Sequence, residues 1–191
     1  MKRVSRNKQN PKFVFLPLIT ILLMGILSAF VTNYEAHWKY DWKEIRPEIR
    51  DSIQVAALYG ISSGIGSMGN PTDKEIRRQY WIMNQAPDSE LLRLIDYPDG
   101  TVKAMAYEGL LRRNFSRKPN LILQAVRDTT HPLAYQSGCI IWDREISEYL
   151  FQDVLRLDQD LPQPMRSSII LDESDRQKIM AIYEAHPPRQ F

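Results

Sequence analysis

The residues with the most chemistry to offer lie close together in "RDTTHPLAYQSGCIIWDRE", residues 127–145. They are Asp128, His131, Cys139 and Asp143. A thiol within hydrogen-bond reach of an imidazole ionises readily and becomes a nucleophile. Cys139 and His131 are the pair that a thiol-dependent enzyme would use here. The segment reads as helix, with Cys139 between Gly138 and the apolar run Ile140, Ile141 and Trp142. That setting implies a buried, inert core thiol with a raised pKa. Eight positions along a continuous helix cover roughly 12 Å of rise. The two groups would meet only across a break, so the structural reading of Cys139 stands ahead of the catalytic one.

The other chemical signals are weaker. With one cysteine in the chain, an intrachain disulfide is impossible. His37, His131 and His186 are scattered, and no pair has the close spacing of a structural zinc site. Gly64, Gly66 and Gly69 match G-x-G-x-x-G, the spacing of a dinucleotide phosphate loop. That loop needs a strand before it and a helix opening within it. Here a helical pattern precedes it and the next helix starts near Thr72, so it reads as a turn-rich connection. Glu44 with Glu48, and Asp172 with Asp175, are carboxylates at helical spacing that read as capping or solvated acids. "NFS", from Asn114 to Ser116, is an N-glycosylation match that matters only in a eukaryotic secretory route. No nucleophile elbow or Walker loop appears. The sequence therefore assigns no catalytic, cofactor-binding or metal-ligating residue, and no cofactor.

Helices must position whatever these residues do. Glu44 to Tyr59 carries Ile49, Ile53, Ala56 and Ala57 on one face, with Pro47 at an early position. A second helix runs from about Thr72 to Gln85, and Pro87 ends it. Asp88 or Ser89 caps a third, rich in leucine. "DYPDG" turns the chain into a fourth. "KPNLILQAVRD", "THPLAYQSGCIIW" and "REISEYLFQDVLRL" follow as further helices. "DESDRQKIMAIYEAH", capped near Asp172 or Ser174, is the last. "RSSIIL", Arg166 to Leu171, is the only weak candidate for a strand.

Within this set, Asp88 to Arg113 carries a recognisable pattern. On a wheel centred on Ala106, residues Val102, Ala106, Gly109 and Leu110 share one face, Tyr107, Leu111 and Ala104 lie on an adjoining arc that needs a further neighbour, and Glu108 and Arg112, with Met105 at the margin, face away. Ala106 and Gly109 are small enough to let two helix axes approach closely. Leu91, Leu92 and Leu94, then Pro98-Asp99, then Val102-Lys103, Ala106 and Gly109-Leu110 resemble one HEAT-like helical repeat. A possible degenerate second copy spans Pro119 to Trp142, where "DTTH" replaces the Pro-Asp turn. The resemblance implies stacked antiparallel helical hairpins and an extended binding surface.

Placement comes from the other end of the chain. Phe13 to Val31 is a run of 19 uncharged residues, roughly 28 Å long as a helix and close to a bilayer core. Lys2, Arg3, Arg6, Lys8 and Lys12 precede it. Basic residues on that side predict a cytoplasmic N-terminus and an extracytoplasmic domain, periplasmic or extracellular. Tyr34, Trp38, Tyr40 and Trp42 follow as an interfacial belt. An uncleaved signal-anchor is favoured over a cleaved signal, which would release a soluble secreted binding protein. Without the five N-terminal bases, 20 basic residues face 23 acidic ones. The positive balance thus belongs to the tail, and no nucleic-acid partner is expected.

The expected fold class is all-α. Residues 1–12 form a basic cytoplasmic tail, 13–31 a single transmembrane helix and 32–46 a juxtamembrane aromatic segment. Residues 47–186 form the helical repeat-like domain, and 187–191 a tail. The expected function is a membrane-anchored, non-catalytic binding or scaffolding module for a protein partner.

Overall fold

The computed structural model describes residues 12–32, 40–63, 73–113, 115–157 and 169–186. The chain divides into two compact units, Met1–Lys39 and Tyr40–Phe191. The glycine-rich loop, His37, Asn114 and residues 166–168 lie outside the described residues.

The first unit holds one helix, α1 (Lys12–Thr32), which accommodates Pro17. The Thr20 hydroxyl donates to the Pro17 carbonyl at 2.9 Å. Among the described residues no helix is long and apolar enough to cross a membrane. The side chains described in α1 are those of residues 17–28, all exposed. The single-pass signal-anchor expected over Phe13–Val31 is corrected accordingly. So are the membrane as a partner and the cytoplasmic and extracytoplasmic placement built on it. The aromatic belt is corrected with them at two positions. Tyr40 and Trp42 stack on the buried Tyr97 with ring centroids 4.9 and 5.3 Å away, and the Tyr40 hydroxyl donates to the Arg93 carbonyl at 2.7 Å.

The second unit is mostly helical. α2 (Pro47–Tyr59) starts on a proline, whose missing N–H costs nothing there, and buries Ile49, Ile53 and Ala56. It ends at Gly60, whose φ of +71° suits glycine and whose position leaves no room for a Cβ against Ala134. The strand β1 (Ile61–Ser62) follows. A strand, not a helix, therefore stands before the glycine-rich loop. α3 (Asp73–Gln85) and α4 (Asp88–Leu94) come next. α5 (Gly100–Arg112) opens on Asp99, whose carboxylate accepts from the Val102 N–H at 2.9 Å. α6 (Lys118–Arg127), α7 (Ile146–Tyr149), a π-helix (Leu150–Leu155) and α8 (Glu173–Ala185) complete the helical set.

α5 is the axis of this unit. It packs against α2, α3, α4, α6, α7 and the strand that follows α6. Every residue from Gly100 to Leu111 is buried. Met105 and Glu108, expected to face away from the fold, are thus inside it. Small residues make this possible. A Cβ built on Gly109 would lie 3.1 Å from Leu91 Cδ1 and 3.4 Å from Met83 Cβ, which confirms Gly109 as a close-packing position. A Cβ on Gly100 would strike the backbone carbonyls of His131 and Pro132.

The strictly all-α expectation is corrected by a sheet. Residues 133–144, read as helix, form a hairpin of β2 (Leu133–Ser137) and β3 (Ile140–Arg144). β2 pairs antiparallel with β3, with Tyr135 opposite Trp142, and parallel with β1, with Ile61 opposite Tyr135. Gly138 takes φ +61° in the two-residue loop, a turn that suits a hairpin. Leu133 and Tyr135 are buried at alternate positions along β2. β3 is exposed from Ile140 to Asp143, so no inward-outward alternation could have marked it. In the weak strand candidate, residues 169–171 are not extended into a sheet.

Candidate functional site

A cleft of about 330 Å³ opens beside α5, walled by α3, β1, β2, Tyr149 and the π-helix. Its chemistry lies in two carboxylates. Glu108, on α5, is buried. It accepts from Arg112 Nε at 2.7 Å and from the Tyr149 hydroxyl at 2.6 Å. Asp153, in the π-helix, accepts from the Tyr135 hydroxyl at 2.7 Å and from Arg144 at 2.6 Å. Arg144 also donates to Glu148 at 3.0 Å and to Gln152 at 2.6 Å. Its guanidinium lies 4.8 Å from the centre of the Tyr135 ring. On the opposite wall, Gln79 donates to the Gly60 carbonyl at 2.9 Å, and Arg112 lies over the Tyr80 ring at 5.5 Å.

The electrostatics follow from burial. Burial first, and Glu108 second, push the Tyr149 phenol well above its ordinary range. Burial and the Asp153 hydrogen bond do the same to Tyr135. Both phenols therefore stay protonated at neutral pH and donate to their carboxylates. The arrangement neutralises each acid with an arginine and fixes its orientation with a tyrosine. The wall behind Asp153 has two unusual backbone features. The π-helix has a wider turn than an α-helix, and such turns are common at functional sites. Arg156, which ends it, has φ +54°, a region that non-glycine residues seldom adopt.

The residues expected to do chemistry lie elsewhere. Asp128 and His131 come together through Thr130, just after α6. The Thr130 hydroxyl donates to Asp128 at 2.7 Å and lies 2.8 Å from His131 Nδ1. Lys103, from α5, donates to the same Asp128 at 2.6 Å. Burial alone would raise the Asp128 pKa, but hydrogen bonds from Lys103 and Thr130 outweigh it and hold the carboxyl below its usual range. Cys139 does not join this group. It is exposed in the hairpin loop, not buried in a helix. His131 precedes β2, so the five residues of that strand, roughly 17 Å, separate the two. Asp143 is exposed on β3. Asp172 caps α8 by accepting from the Asp175 N–H at 2.6 Å, and Glu44 pairs with Arg93 at 3.1 Å.

The sequence reading missed Glu108, Asp153 and the tyrosines. A signal was present: Glu108 with Arg112, and Arg144 with Glu148, stand at i,i+4 ion-pair spacing. Tyr149 and Asp153, which turn those pairs into a site, lie 41 and 45 positions beyond Glu108. Compared with known proteins, the chain matches no family model, no curated protein and no solved structure.

Proposed function

We propose that the chain is a non-catalytic binding or scaffolding module for a protein partner, with the α4–α5 pair as a HEAT-like unit at its centre. The observation that carries this is the set of large apolar side chains that the second unit leaves exposed, Ile140 and Ile141 side by side among them. Leu58 is 82% exposed and Ile170 86% exposed. Large apolar side chains left in water are the usual mark of a contact surface when they cluster. The cleft supports the same reading, because both of its carboxylates are already engaged by arginine and tyrosine. The distance between Cys139 and His131 speaks against the thiol-dependent enzyme.

A photo-crosslinking residue placed at Leu58 or at Ile170 tests the proposal in the producing cell. Lys178, exposed and polar, serves as the control position. Both apolar positions should yield one recurrent protein adduct that the control does not, and alkylating Cys139 should leave that adduct unchanged. Equal, heterogeneous adducts from all three positions would reject the binding surface.

A further inference from the structure

In the sheet order β1-β2-β3, β3 is an edge strand, and among the described residues only β2 pairs with it. An edge strand offers backbone N–H and C=O groups to any second strand. Natural edges are usually blunted by charge. This one exposes Ile140 at 65%, Ile141 at 67% and Trp142 at 37%. The one charge in the exposed run is Asp143, at its end.

The hairpin decides which backbone groups face outward. Its two-residue loop has positive φ at Gly138 but not at Cys139, the pattern of a type II′ turn. In such a hairpin the pair that closes the loop, Ser137 and Ile140, exchanges both backbone hydrogen bonds. Alternate pairs do the same, here Tyr135 with Trp142 and Leu133 with Arg144. The N–H and C=O groups of Ile140, Trp142 and Arg144 thus serve β2. Those of Ile141 and Asp143 point away from it.

We propose that this edge pairs with β3 of a second copy of the chain, antiparallel, about a two-fold axis at Ile141. In that register Ile141 meets Ile141 of the second copy through outward-facing backbone groups, and Ile140 meets Trp142 twice. Every central cross-strand pair is apolar, and pairs of this kind stabilise sheets. Asp143 falls opposite Cys139 at the rim, so no charge is buried and no like charges face each other. A two-fold at Trp142 would instead set Asp143 against Ile141 and Ile140 against Arg144, whose guanidinium is already held by Glu148 and Asp153. The run is therefore complementary to itself in one register. Two three-stranded sheets become one continuous sheet across the axis. The inference rests on the binding reading above, since Ile140 and Ile141 are among the exposed apolar side chains that carry it.

The test uses the full chain and its single cysteine. Cys139→Ser combined with Ile141→Cys places a lone thiol on the axis, where opposite Cα atoms are about 5.5 Å apart and a disulfide fits. Native Cys139 lies four strand positions, roughly 13 Å, from its copy. Under mild oxidation the double variant should form a disulfide-linked dimer, and the native chain about tenfold less of one. Ile141→Lys, at an exposed position, sets two ammonium groups against each other. It should lower the dimer fraction at sedimentation equilibrium by about tenfold while leaving the circular dichroism unchanged. No more 141-linked dimer than the native control, or an Ile141→Lys variant that sediments like the native chain, would overturn the pairing. Loss of the 141 disulfide while Leu58 and Ile170 still capture another protein would overturn the second copy but leave the binding reading standing.

Discussion

Tyr149 shows how a single hydroxyl holds the interior of this molecule together. It is buried and donates to Glu108, an acid that shares its other bonds with Arg112. A buried acceptor that loses one of its donors bears the full desolvation penalty, whereas the ring itself packs equally well as phenylalanine. Tyr149→Phe should therefore cost about 1–3 kcal/mol. Urea denaturation should show a lower midpoint with an unchanged slope. A change within the scatter of surface substitutions would mean that water takes over the hydroxyl's bond. The Glu108–Arg112 spacing was legible from the residues alone. That Glu108 lies inside was not, because a wheel drawn for one helix cannot show how many neighbours the helix has.

At the scale of elements, α5 carries the argument. Its apolar stripe implied one partner helix and its adjoining apolar flank a further neighbour, and the fold surrounds it with several elements. Gly109 sits where α5 meets both α3 and α4. Gly109→Ala brings its new methyl to 3.1 Å from Leu91 Cδ1, the movable end of a flexible side chain. Gain in helix propensity and steric cost thus nearly cancel there. Gly109→Leu has no such escape and should destabilise the unit by about 1–3 kcal/mol. Thermal unfolding followed by circular dichroism measures this, and an unchanged midpoint would put Gly109 outside the helix contact. Arg113, just past the end of α5, ties the same elements together. It donates to the Met83 and Ala86 carbonyls at the end of α3 and to Asp88 at the start of α4. That clamp satisfies carbonyls that a helix end leaves unpaired.

Over the whole molecule, stability should fall in acid through Asp128. Its folded pKa lies below the ordinary carboxylate value because Lys103 and Thr130 bond the charged form. A depressed folded pKa adds stability above the unfolded pKa, near 3.9. That stability is lost as pH falls through the folded value. Asp128→Asn should lower stability at neutral pH and flatten its decline below about pH 4. Equal slopes for the two proteins in denaturant melts across that range would remove Asp128 from the account. The sequence by itself determined most of the helices, the cap of α8 at Asp172 and the small residue at Gly109, but not the cap of α4, where Pro87 stands instead of Asp88 or Ser89. The 3.6-residue period, Asp172 and the small side chains carry that information locally. Only the tertiary structure decided the hairpin at 133–144, the burial of Glu108 and the pairing of Tyr149 and Asp153 with distant partners. β2 is extended because it lies between β1 and β3, and a strand's stability comes from those neighbours. Cys139 changed from a core thiol to an exposed loop residue for the same reason. Its local sequence fits a buried helix, and the backbone hydrogen bonds of the hairpin overrule it.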